Sequence, residues 1–424
     1  MSADLTPAPE PQVEWPLFDC VQVNLAILAE RWHGPGTHLD LGAVLRFRPL
    51  PGPDGLPTVE RSAADQLAEA ARRLGLAVLD RRTTAPGGAL TPAEGRYVVA
   101  DAFHLPWVPY AGRRHMEHSF LLEPAGDADA VVLDGYHNET PWGSARPVRR
   151  PLSRAELAAA VPGPALAVTL APAGRPPAPA GAETDLADEE TAARYVAAYA
   201  EHPDRRAAFD RLTLETWLLA RSRKLHARFL RSRGLLADDS AALAHVEAWE
   251  SLAESVYLGY RRVERGRPEA REVFTRLAEQ LGRDREAFAP TTPPATPPAT
   301  PPATAPVTAS ATARTAVPRP ADATPVPAPL RARVAAAAGA VLKTDPAALL
   351  DGRPLADVPG FTSFRVVEIV ERLERELSVE FDADDLVPEN LHHVDGICRI
   401  VLRALPAGAA APRPARPVAR TGGN

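Results

Sequence analysis

Cys20, His118, Asp134 and Ser363 are the residues of this sequence whose types and surroundings could do chemistry. Cys20 opens a predicted helix behind Pro16 and Asp19, where the helix dipole favours a thiolate. A nucleophilic cysteine needs a base within hydrogen-bond reach and a third group to orient that base. The histidine-dense stretch YAGRRHMEHSFLLEPAGDADAVVLDGYHNETPWG supplies both. His118 opens one predicted strand and Asp134 closes the next, so antiparallel pairing across PAGDADA would set them side by side. His115 is the rival base, and His118 is preferred because it borders the strand directly. His137 and Asn138 read as turn residues. Each of the three has a plainer reading: a core cysteine, a loop histidine, and an aspartate in an Asp-Gly turn. Their order and their places at element ends favour the chemical one. Far away, GFTSFRVVEIVERLERELSVEF places Ser363 just ahead of a long amphipathic run, where a serine also serves as an ordinary N-cap.

The elements that must position these residues fall into blocks. The chain has 424 residues, enough for two or three domains. Hydrophobic content of 45% and charged content of 24% are those of globular proteins, but the 46 prolines are clustered, which points to linkers. A net charge of −6 argues against a nucleic-acid partner. No apolar run is long enough to span a bilayer, and MSADLTPAPEPQ lacks the basic and apolar regions of a secretory signal. Two distant cysteines, Cys20 and Cys398, read as free thiols in a reducing cytoplasm.

Residues 1–173 read as an α+β domain. LFDCVQVNLAILAERWHG and 60–76 are helical, and strands are expected at LAVLDRR, 96–103, 119–125, 130–136 and 165–172. A short helix at 152–161 takes Ser153 as its cap. GRPPAPAGAETD (174–185) reads as a linker. Residues 186–289 carry helical periodicity and no strand signal, with Trp217, Trp249, Tyr257, Phe274 and Leu277 as core, so an all-α domain is expected. His202, His226 and His245 there read as surface or satisfied core residues. Residues 290–328, with three PPAT repeats, read as an extended Pro/Ala/Thr-rich linker reaching on the order of 100 Å. Residues 406–424 read as a disordered basic tail.

Between linker and tail, 329–405 divides into helices at 330–342, 363–377 and 394–405. Val366, Val370, Leu373 and Leu377 give the middle one an apolar face, opposite Glu368, Glu371, Glu374 and Glu376. With the VEIVERLERELSVEF register and the DLVPEN turn, this segment resembles acyl and peptidyl carrier proteins, which are four-helix domains. The resemblance implies that Ser363 carries 4′-phosphopantetheine, attached by a phosphopantetheinyl transferase. A phosphodiester there would meet exposed N–H groups. The family usually has Asp before this serine, where this chain has Thr362. Cys398 lies on the apolar side of the last helix and reads as structural.

At the other end, a helix-borne Cys, a strand-borne His and then an Asp follow the chain order of papain-like enzymes. DCVQVNLAIL, VVADAFHLPWVPY, HMEHSFLLE and VVLDGYHN resemble the N-terminal family of the butirosin-biosynthesis H protein, over about residues 15–173. That family is a papain-like acyltransferase, often followed by a helical region. The resemblance implies Cys20 as nucleophile, His118 as base and Asp134 as orienter. An acyl group would pass from a carrier thioester to the cysteine and then to a small-molecule amine acceptor, in specialised metabolism, with an acyl- or aminoacyl-activating ligase or synthetase upstream. Gln12 and the Cys20 N–H are candidate oxyanion donors. A thioesterase or amidase, in which water replaces the amine, and a non-catalytic carrier or docking protein are the alternatives.

Overall fold

The computed structural model describes residues 12–125, 128–174, 181–237, 241–289 and 326–405. It is a mixed α/β structure in two compact units that divide between Thr291 and Thr292.

The first unit begins with α1 (Gln22–His33), whose residues from Val23 to Glu30 are all buried. A helix so apolar on every side cannot lie on a surface. Gly34, with φ 88°, closes it, and its N–H donates to the Glu30 carbonyl. The chain then runs through β1 (Val44–Phe47), the small hairpin of β2 (Leu50–Pro51) and β3 (Pro57–Thr58), and α2 (Ala63–Leu74). The strands that follow are β4 (Leu76–Thr83), β5 (Arg96–Asp101), β6 (Glu117–Ala125) and β7 (Ala128–Asp134). A second hairpin pairs β8 (Asn138–Thr140) with β9 (Gly143–Ala145). Next come β10 (Val148–Leu152), α3 (Arg154–Ala160), β11 (Leu166–Pro172) and β12 (Glu183–Leu186). Ser153 caps α3 in a reciprocal box with Glu156, as its sequence predicts.

Six strands form an antiparallel sheet in the order β10-β7-β6-β5-β11-β4. Tyr97, Val98, Phe120, Leu122, Val132 and Val168 join α1 in the core. Gly135, directly after β7, shows how tightly the helix sits. A Cβ there would stand 2.9 Å from Ile27, Trp15 and Val23 side chains. The Asp-Gly pair expected to be a turn is therefore a place where helix and strand end touch.

The helices α4 (Glu189–Glu201), α5 (Arg205–Ser232), α6 (Ala241–Glu264) and α7 (Glu272–Ala287) match the expected helical block. They do not stand apart as a domain of their own. Residues 1–173 and 186–289, read from sequence as two domains, belong to one compact unit. The joint is structural at several points. β12 falls at the end of the stretch read as a linker and pairs in parallel with β1, Val44 opposite Glu183. Gly42 lies so close to α5 that a Cβ would come within 2.6 Å of the Leu225 carbonyl oxygen. Phe47 and Leu56 are buried with Tyr195, Phe209 and Trp249 in one core.

The second unit holds α8 (Ala328–Leu342), α9 (Ser363–Leu377), the single turn α10 (Pro388–Leu391) and α11 (Val394–Ala404). Val334, Ala338, Val366, Ile369, Val370, Leu373, Ile397 and Val401 are buried. Of the expected linker at 290–328, residues 290–325 lie outside the described residues and Ala328 opens α8; the expected tail at 406–424 also lies outside them, as do the N-terminal eleven.

Candidate active site

The N-terminal half of α1 packs against the start of β6 and against Gly135, the residue after β7. Asp19 shapes this entry. Its Oδ1 accepts from the N–H groups of Val21 (2.9 Å) and Gln22 (2.8 Å), and its carbonyl accepts from Val23. Asn24, one turn after Cys20, ties helix to strands: its Nδ2 donates to Ser119 Oγ and carbonyl, both at 2.9 Å, and its Oδ1 accepts from Gly135 N–H at 3.0 Å. Tyr97 donates its hydroxyl to the Val21 carbonyl (3.1 Å).

Cys20 is fixed by both neighbours of His118. Its Sγ lies 3.5 Å from the Glu117 carbonyl, and its own carbonyl accepts from Ser119 Oγ at 2.5 Å. Strand alternation turns Ser119 towards α1 and His118 to the other face. The register Leu122 opposite Val132 gives Asp134 that same face. There His118 Nε2 meets Asp134 Oδ2 at 2.7 Å, both side chains being almost fully buried. Trp107 Nε1 donates to the same carboxylate oxygen (3.1 Å), and Tyr136 N–H to the other (2.9 Å). A carboxylate only accepts, so Nε2 carries the proton and Nδ1 is left as a base. Among the described residues that buried Nδ1 has no hydrogen-bond partner.

The structure thus pairs His118 with Asp134 and sets Cys20 against the strand residues on either side of His118. It differs from expectation on the resting thiol. Burial pushes the Cys20 proton affinity well above the usual cysteine range, and the carboxylates of Asp19, Asp134 and Glu60 add to it. The helix-terminus effect, at most about 2 kcal/mol, does not offset that desolvation. Cys20 rests as a thiol, and a base must take its proton.

The remaining candidates separate clearly. His115 Nδ1 pairs with Asp101 Oδ2 at 2.6 Å, on the surface and stacked on Phe103. Gln12 is exposed, and the N–H groups just after Cys20 are held by Asp19. His226 Nδ1 lies 2.7 Å from the Gly42 carbonyl, and burial pushes its pKa down to about 4. His245 Nε2 meets Asp284 Oδ1 at 2.9 Å beside Arg223, all three fully buried. Both are core histidines. Among the described residues no group of three or more His, Cys, Asp or Glu could hold a metal ion, and no helix is long and apolar enough to cross a membrane.

Several surrounding residues escape the sequence reading. Tyr110 and Tyr136 share a hydroxyl–hydroxyl bond of 3.0 Å, and the Tyr136 ring lies edge-on to His118 at 5.2 Å. From α5, Trp217 Nε1 and Arg221 reach Asn138 Oδ1 at 3.2 and 3.1 Å. Only Asn24 left a signal, as a polar residue inside the apolar run VNLAIL.

In the second unit α9 starts at Ser363, but its N-cap is Thr362, whose Oγ1 accepts from Arg365 N–H at 3.2 Å. The plain reading of Ser363 as the cap is thereby corrected: it is the first helical residue. Cys398 is fully buried, and burial pushes its pKa up to about 12.

No protein-family model matches this chain, and no curated protein matches it.

Proposed function

We propose that the chain is a cysteine-dependent acyl- or aminoacyltransferase with a papain-like first unit and its own carrier domain in the second. The observation that carries this reading is the buried His118 imidazole. It is clamped by Asp134 through Nε2 and unpartnered at Nδ1, between the two residues that hold Cys20. His245, clamped by Asp284 through Nε2, also has a bare buried Nδ1, so what sets His118 apart is its place between Glu117 and Ser119, the two residues bonded to Cys20.

Each step uses groups of this chain. His118 Nδ1 takes the Cys20 proton as sulfur attacks the carbonyl of a thioester substrate. Asp134 stabilises the imidazolium so formed. His118 then returns that proton to the leaving thiol, and the acyl group rests on Cys20. An amine attacks next, giving its proton to Nδ1, which passes it to the Cys20 sulfur as the amide leaves. The Cys20 N–H is a candidate donor to the oxyanion of both steps. Because the thiol starts protonated, general-base catalysis is a requirement of the first step.

Ser363 fits attachment of 4′-phosphopantetheine: it is the first residue of a 15-residue helix whose cap is supplied by Thr362, so the serine is not needed as one. When bound, that group supplies a thiol on a long arm, able to carry the acyl unit as a thioester. Thr362, in place of the family's usual Asp, offers a hydroxyl to the helix start where the family offers a carboxylate.

The full chain incubated with a broad-specificity phosphopantetheinyl transferase and coenzyme A should gain one pantetheine arm at Ser363, and Ser363→Ala should not. With an acyl-N-acetylcysteamine thioester, peptide mass spectrometry should find the acyl group on Cys20, and hydroxylamine should release it as hydroxamate. Free acid alone, with every amine tried, favours the hydrolase. Unchanged acyl turnover in Cys20→Ala leaves the docking protein.

A further inference from the structure

Arg221 stands out among the charged groups around Cys20. It comes from the middle of α5, about two hundred residues along the chain from the cysteine. Its guanidinium donates to the Phe18 carbonyl, to the His137 carbonyl (2.7 Å) and to Asn138 Oδ1 (3.1 Å). Phe18 lies two residues before Cys20, and His137 three residues after Asp134. The guanidinium plane lies 4.3 Å from the Trp217 ring centroid, and Trp217 bonds the same Asn138 oxygen. All three acceptors are neutral. Among the described residues Arg221 has no ion pair, unlike Arg223 two residues along α5, which pairs with Asp284. Arginine desolvated without a carboxylate partner is costly and uncommon.

We infer that Arg221 is a positioning residue of the Cys20 site, bridging the segment that presents the thiol to the segment that follows Asp134 and supplying the positive charge that the thiolate and the oxyanion need. The inference rests on the reading of Cys20 as nucleophile. The geometry suits both parts: a planar fork with several donors spans two backbones, which lysine cannot do. Among the described residues the groups coupled to Cys20 are otherwise mostly negative or neutral, with Glu60 paired to Arg211 at 2.8 Å. Asp19 lies on its own segment, Glu117 and His118 on β6, Asp134 at the end of β7, Glu60 ahead of α2, and Tyr97, Tyr110 and Tyr136 close by. Arg221 is a cation without a carboxylate partner among the described residues, and electrostatic interaction links it to Asp19, Cys20 and both Tyr110 and Tyr136.

The test is the pH dependence of Cys20 alkylation by iodoacetamide in the full chain, with the site assigned by peptide mass spectrometry. Acylation of Cys20 by acetyl-N-acetylcysteamine is followed in parallel. Arg221→Gln should move the alkylation midpoint up by about one pH unit, through loss of a neighbouring positive charge. Arg221→Lys keeps the charge and loses the bridge: its midpoint should stay within half a unit of wild type while acylation falls at least tenfold. A midpoint unmoved in a folded Arg221→Gln overturns the inference, and so does Arg221→Lys acylating within twofold of wild type. The lysine variant keeps the inference open to refutation should the glutamine variant not fold. Acetyl transfer that survives Cys20→Ala would sink the transferase reading, and the alkylation profile would still decide the role of Arg221.

Discussion

The two cysteines of this chain make an informative pair. Both are free, both are buried, and in both burial raises the pKa above the ordinary cysteine range. Cys398 sits on α11 among residues such as Ile397, Ile400 and Val401, all fully buried. Cys20 follows Asp19 and bonds Glu117 and Ser119, the two neighbours of His118, whose Nδ1 has no partner among the described residues. Burial and proton affinity are therefore alike at the two thiols. The polar groups around the sulfur are what differ, and the proposed chemistry rests on them.

Substitution at the two cysteines gives the sharpest contrast. Cys20→Ala should lower acyl transfer by on the order of a thousandfold or more, while the far-UV circular dichroism stays that of wild type. Cys398→Ala should leave transfer chemistry at Cys20 within twofold and instead destabilise the second unit by about 1–2 kcal/mol, read from its melting. Equal losses of activity in both would break the comparison.

The next effect concerns the base. His118→Ala should reduce acylation of Cys20 by about 10²–10⁴-fold, and Asp134→Asn by on the order of a hundredfold, since the amide can stabilise the wrong tautomer without removing the imidazole. His115→Ala, at the exposed pair with Asp101, should change the rate by less than about twofold, the scale of a surface substitution. Stopped acylation assays with N-acetylcysteamine thioesters measure all three.

Acid should act on the helical half of the first unit. The folded pKa of His226, about 4, lies below its unfolded value near 6.5. The unfolded chain therefore binds more protons between those values, and stability falls as pH drops from 6.5 towards 4. The contribution at stake is about 3 kcal/mol from 2.5 units. Denaturant melts from pH 7 to 4.5 should show that slope, and His226→Gln should flatten it. A slope unchanged in a folded His226→Gln would place the titrating group elsewhere.

The smallest effects lie in the glycine and cap positions. Gly135→Ala would press a methyl against Ile27, Trp15 and Val23 and should cost about 1–3 kcal/mol. Thr362→Ala removes the α9 cap and should cost about 1 kcal/mol. Paired melts of the two variants would show whether each disturbs only its own unit.

Much of the fold was legible where the pattern was local. The β-branched runs RYVV and AVVL became β5 and β7, and the helical block was found within a few residues at each end. The candidates Cys20, His118 and Asp134 could be picked out because each stands near the end of an element. What escaped was non-local. ETDL is short and polar, and it became β12 only because β1, far back in the chain, offers it a parallel partner. The same holds for Arg221: nothing in its neighbourhood of the sequence marks it, since its acceptors lie at Phe18, His137 and Asn138. The Cys20 thiolate was misjudged because a helix terminus is visible in sequence and desolvation is not.

The pairing of β1 with β12 also sets an order of events during synthesis. The strand that carries Val44 leaves the ribosome long before its partner at Glu183, and the helix bearing Arg221 comes later still. Contacts so distant in sequence close slowly, because the intervening loop must be ordered first. Until α5 arrives, the first 173 residues lack both that edge and the bridge at Phe18. A nascent or truncated chain ending there would expose the apolar faces of Phe47, Leu45 and Leu56, the kind of surface on which chaperones act and aggregation begins.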